Sequence, residues 1–279
     1  MGVVMKFATF GRIAVTALLI AAPLGVASAA DMAVKAPKAP PPPPFDWNGF
    51  YIGAYAGAAW MDQANTTDPC FNFAAALAGC TATGIGTYNV LTSQSYDMAP
   101  SFVGGGTIGY NWQPTPFTLI GLENDFGYLH LKGSIVANPP PVGIGDTLYS
   151  TKIGDWYDAF TARIGAVDGH AMFYVKGGGV VTKYTTGVVD TNPIGLTINT
   201  TTNKTLSGWA AGGGIEYGID MHWSVKAEYT VLGLARNVTN CGTAFAGGVP
   251  LAAPLTTECS VTHTPDVQMI TLGLNYRFR

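Results

Sequence analysis

The chain has 279 residues, of which 11% are charged and 48% hydrophobic, with 36 Gly, 13 Tyr, 13 Phe and 6 Trp. Charge falls well short of the roughly 25% of ordinary soluble proteins, yet no internal run reaches the about 20 apolar residues of a transmembrane helix. A formal net charge of −3 lacks the basic excess that nucleic-acid binding needs; what remains is the composition of a membrane β-barrel, rich in Gly and aromatics and alternating in place of apolar runs.

The N-terminus reads as a secretory signal over residues 1–29. Lys6 and Arg12 precede the apolar stretch "IAVTALLIAAPLGV", which ends on Ala27-Ser28-Ala29, an A-x-A cleavage site. Its removal leaves 12 basic against 17 acidic residues, a net −5. Residues 30–46 follow as a Pro-rich tail, whose consecutive prolines favour a semi-rigid polyproline II spacer on the periplasmic side. Residues 47–279 form the barrel.

Eight segments of period-two alternation are predicted in that region: 50–60, 102–113, 117–130, 156–167, 171–184, 206–217, 223–234 and 267–278. Each is near or slightly above the 9–11 residues that a tilted strand needs to cross a bilayer. "PTP", "DGH" and "GIDMH" make three short connections, while 61–101, 131–155, 185–205 and 235–266 make four long ones. Short periplasmic turns alternating with long extracellular loops describe an all-β, eight-stranded antiparallel up-and-down transmembrane barrel in the cell outer membrane. A soluble β-sandwich would not alternate its connections so regularly.

The stretch "WSVKAEYTVLG" sets the register. Trp223, Val225, Ala227, Tyr229 and Val231 share one parity and face lipid; Ser224, Lys226, Glu228 and Thr230 share the other and face the lumen. Extended to the other segments, this parity collects Glu123, Asp125, Arg163, Lys176, Glu216, Lys226, Glu228 and Arg277 inside, four acids and four bases. Eight strands leave an interior just wide enough for side chains to fill, so the charges are expected to form a packed salt-bridge cluster. Asn124, Asp158 and Lys183 break the pattern on the lipid parity, and are expected toward the loop ends of their strands.

Catalytic chemistry is sparse. Gly104-x-Gly106-x-x-Gly109 matches a dinucleotide fingerprint, but "YNWQPTP" follows where a helix must start. His263 lies near Ser260 and Glu258, the strongest hint of a lipid-directed enzyme; His170 and His222 fall in short turns and His130 at a strand rim. Cys70, Cys80, Cys241 and Cys259 read as two disulfides of an exported chain. Closeness in sequence favours 70–80 and 241–259. A zinc site is the weaker alternative, lacking C-x-x-C and ligand-spaced His. No cofactor, metal or catalytic residue is expected.

Taken together, "FDWNGFYIGAYAG", "GGGTIGYNWQ", "IGLENDF", "GGGIEYGID", "WSVKAEY" and "LGLNYRF" resemble the strands of the small alphaproteobacterial outer-membrane proteins, the immunogenic porin-like group. The resemblance covers the strands and not the long loops. It implies an eight-stranded barrel of the OmpA type with an inward charge cluster, at which Glu123, Arg163 and Lys176 occupy similar places. It also implies a role in envelope integrity and surface exposure, with outer-membrane lipid and lipopolysaccharide, the assembly machinery, and a host or surface ligand on the loops as partners. The family's assembly signal ends on an aromatic residue; here Tyr276 and Phe278 supply it, but Arg279 follows. A small porin is the alternative function.

Overall fold

The computed structural model describes residues 45–68, 92–137, 146–191, 196–234, 237–243, 245–246, 249–250 and 257–278. The signal segment, most of the tail, Cys70, Cys80 and Arg279 lie outside them. Fourteen strands follow in order: β1 (Gly49–Met61), β2 (Ala64–Asp68), β3 (Thr92–Tyr96), β4 (Ser101–Thr115), β5 (Thr118–Ala137), β6 (Asp146–Asp168), β7 (Ala171–Thr191), β8 (Leu196–Gly218), β9 (Trp223–Leu234), β10 (Asn237–Thr243), β11 (Phe245–Ala246), β12 (Val249–Pro250), β13 (Thr257–His263) and β14 (Val267–Arg277). Strands β1, β4, β5, β6, β7, β8, β9 and β14 pair antiparallel in that order, and β14 returns to β1. The ring of eight is closed and has no free edge.

The three short turns stand at one end. In the β8–β9 turn the Asp220 carboxylate accepts the backbone N–H groups of His222 and Trp223, at 2.7 and 2.8 Å. Those two donors, His222 first, hold its pKa below the ordinary carboxylate value.

The alternation of β9 falls where the sequence puts it, Trp223–Leu234. Ala227 stands between Leu272 of β14 and Ile215 of β8 on the outer wall, and Lys226 is buried inside. Asn124 is a correction. It sits in mid-strand between Leu122 and Phe126 rather than near the loop end, and Asp158, opposite Phe126, is likewise in the middle of β6, yet the register holds. Its amide donates to Asp158 Oδ1 at 2.5 Å, so the two polar groups satisfy each other on the outer wall.

The predicted loops at 131–155 and 185–205 are largely strand. β6 and β8 each run 23 residues. A strand of that length extends about 75 Å, and at a 45° tilt it still rises about 50 Å, twice the apolar band of about 25 Å that such barrels present to lipid. The wall therefore stands well clear of the membrane. Strands β2, β3, β10 and β13, in the order β10-β13-β2-β3, form a second sheet within the long connections. An Ala99–Lys132 bridge and the Tyr96 hydroxyl, 2.7 Å from Thr151 Oγ1, tie β3 and the chain after it to the barrel wall.

In this upper storey the two faces exchange character. Leu129, Leu131, Ile153, Val180, Leu232 and Val267 point inward and are buried, while His130, Lys132, Lys152 and Lys183 point outward. Beyond the lipid the surroundings are water, and the apolar parity turns inside.

Candidate functional site: the lumen

The middle of the lumen holds seven of the eight predicted charges. β5 supplies Glu123 and Asp125, β6 Arg163, β7 Lys176, β8 Glu216, and β9 Lys226 and Glu228. The ladder registers place them at one depth: Arg163 lies opposite Lys176, and Glu216 opposite Lys226. Glu123 is the hub. Its carboxylate accepts from Lys176 at 2.9 Å, Lys226 at 3.0 Å, Arg163 at 3.3 Å and the Tyr51 hydroxyl at 2.8 Å. Lys176 also reaches Asp125 and Glu228, each at 2.6 Å. Arg163 bridges on to Glu216 at 3.3 Å and donates twice to Asn111 Oδ1.

Neutral groups complete the network. Tyr174 donates to Glu228 at 2.7 Å, and Ser224 and Asn275 donate to Glu216 at 2.5 and 2.9 Å. The Arg163 guanidinium stacks over the Tyr51 and Tyr174 rings at 4.7 and 5.2 Å. Glycines make room for these large groups: a Cβ at Gly109 would run into the Tyr51 ring, and one at Gly127 into the Tyr55 hydroxyl. Burial without such pairing would cost several kcal/mol per ion.

Carboxylate oxygens of Glu123, Asp125 and Glu228 lie within 4.8 Å of one another, the one set among the described residues close enough to hold a cation. The Lys176 and Lys226 ammonium groups already stand among them. Above the network the Tyr55 and Tyr157 hydroxyls meet at 2.6 Å across the lumen. The cavity left among Tyr55, Asp125, Tyr157, Lys176 and Lys226 measures about 10 Å³, room for one water at most.

Arg277, the eighth predicted member, does not join. At the end of β14 it stands opposite Tyr51, four residues beyond Gly273, which pairs with Lys226. Its guanidinium rests over Trp47 at 4.5 Å and Phe45 at 5.3 Å and donates to the Asp46 carbonyl at 3.0 Å. Trp47 is fully buried. Its indole donates to Gly169 O at 3.2 Å and its backbone N–H to Gln113 Oε1 at 2.9 Å. Phe45 and Trp47 thus close the turn end of the barrel. Phe45, at a position expected in the tail, is packed into the barrel with Trp47. The sequence signal was there: two aromatics next to a proline run, where a solvated tail needs none.

His263 is exposed on β13, the strand that also carries Glu258 and Ser260. On the backbone, Cys241 of β10 stands directly opposite Cys259 of β13. Tyr276 and Phe278 sit at the turn-end rim, their rings 5.2 Å apart and Tyr276 also 5.1 Å from Trp223. They form part of an aromatic girdle.

Comparison with known proteins agrees with this architecture. The family model for the outer membrane protein beta-barrel domain matches residues 19–278. The 31 kDa outer-membrane immunogenic proteins of Brucella melitensis and Brucella suis are each 29% identical over 261 residues, covering 90% of this chain and 93% of theirs. Among solved structures, the outer membrane protein OprG of Pseudomonas aeruginosa aligns over 83% of this chain and 97% of its own, at 11% identity and a TM-score of 0.39, too loosely to bear on the lumen.

Proposed function

This chain belongs to the outer membrane protein beta-barrel family, and from that premise we propose that its barrel is a sealed structural element of the envelope. It is an outer-membrane protein with a structural and surface role. The finer reading concerns the lumen. Three successive closures support it: the Phe45–Trp47 stopper at the turn end, the paired charges in the middle, and the apolar core of Leu129, Leu131, Ile153 and Leu232 above. The single observation that carries the reading is that the cavity left among the charged groups, between Asp125, Lys176, Lys226 and Glu228, measures only about 10 Å³. A porin needs its inner charges apart, and here each of the seven lies within 4 Å of an opposite one. We assign no reaction to the chain. The long connections remain the surface offered to an outside ligand.

The test is complementation. Cells lacking the chain are expected to become sensitive to detergent, and the wild type and a Lys226→Gln/Glu228→Gln variant to restore resistance alike. Resistance restored only by the wild type, with small-solute uptake falling in the variant, would favour the porin.

A further inference from the structure

One outward file on β5 changes character along the strand: Ile120, Leu122, Phe126 and Tyr128 are exposed and apolar or aromatic, and His130 and Lys132 follow. On the neighbouring strands Lys152 and Lys183 stand at the same height. A bulge in β6 arranges them. Gly154 and Asp155 adopt positive φ, 116° and 75°, and β6 carries two more residues than β7 between their pairings. Asp tolerates that backbone, and bulges re-aim side chains. Asp155 thereby reaches the outer wall, where Lys152 lies at 2.9 Å, Lys183 at 3.2 Å and the His130 ring at 3.3 Å from its carboxylate.

One carboxylate thus gathers two lysines, and a third is left over. Lys132 stands directly opposite Lys152 in the β5–β6 ladder. It is exposed and makes no ion pair among the described residues. Like charges directly opposite on one sheet face are destabilising, so this pair calls for an anion from outside the chain. Immediately below lie the Tyr128 ring, stacked 6.0 Å from His130, and the exposed Phe126 and Phe160. Aromatic girdles mark the membrane interface, which puts the basic group at headgroup height on the long-connection side.

We propose that His130, Lys132, Lys152 and Lys183 form a binding site for the phosphate of an outer-leaflet glycolipid, with Asp155 holding two of the lysines in place. The lipid's acyl chains lie along the Phe126–Tyr128 wall while its phosphate meets Lys132. The inference rests on the membrane orientation adopted under the proposed function.

The test uses the full chain folded into phosphatidylcholine nanodiscs doped with bis-phosphorylated lipid A or its dephosphorylated form, with lipid A per barrel read by mass spectrometry. The wild type is expected to enrich the phosphorylated form. Lys132→Gln, which touches neither Asp155 nor the lumen, should lower that enrichment about fivefold, the effect of one basic residue near a charged membrane surface, and Lys132→Arg should restore it. Millimolar inorganic phosphate is expected to leave the enrichment unchanged; full displacement by it would make this a free-anion site and overturn the lipid assignment. A barrel with the heat-modifiable migration of the folded state that retains both lipids alike overturns the headgroup site and leaves the sealed barrel standing. A chain that never acquires that migration overturns both.

Discussion

Replacing Glu123 with alanine is expected to destabilise the barrel by about 3–5 kcal/mol, the cost of removing one partner from a buried ionic network. The size follows from the number of groups left behind. Arg163, Lys176 and Lys226 all point at Glu123, along with the Tyr51 hydroxyl, and none can turn to water inside a closed lumen. Glu123→Gln keeps the shape and one acceptor but loses the charge, and should fall between alanine and wild type. Urea unfolding in phospholipid vesicles, followed by tryptophan fluorescence, measures both. A loss under about 1 kcal/mol for alanine would mean that water reaches the network, since exposed ion pairs contribute no more than that.

The second large effect is expected one residue from Lys226, on the other side of the wall. Ala227→Arg puts a guanidinium on the outer face at the depth of the charge network, between Leu272 and Ile215. At the bilayer midplane that costs about 2–4 kcal/mol. The same change at Val249, an exposed position in the β11–β12 hairpin beyond the lipid, should cost less than about 0.5 kcal/mol, as surface substitutions usually do. Equal effects at the two positions would place Ala227 in water and overturn the register of the whole ring.

How much of this could be read in advance differs along the height of the barrel. Within the lipid band the sequence obeys one rule, apolar outside and polar inside. The ring of eight, the lipid-facing Ile108, Phe160 and Leu272, and seven of the inward charges all follow from it. Above the band the rule inverts, because the outside is water. Leu129 and Leu131 then point in and His130 and Lys132 point out, although the parity of β5 never changes. That inversion is why the upper halves of β6 and β8, rich in Thr, Asn and Ser, read as loop.

Other features depended on contacts that no local pattern encodes. Arg277 shares the inward parity of the cluster but sits at its strand's end, where Trp47 meets it across 230 residues of sequence. Asp155 is outside only because two consecutive residues of β6 take positive φ. Neither alternation nor spacing announces a bulge.

The closed lumen is tested most directly by single-channel recording of the purified, folded chain in a planar bilayer at neutral pH. A silent baseline is expected, both from the wild type and from Lys226→Gln/Glu228→Gln, because the stopper below and the apolar core above remain when two charges are gone. Reproducible current steps from the wild type that scale with protein incorporated would contradict the sealed barrel outright.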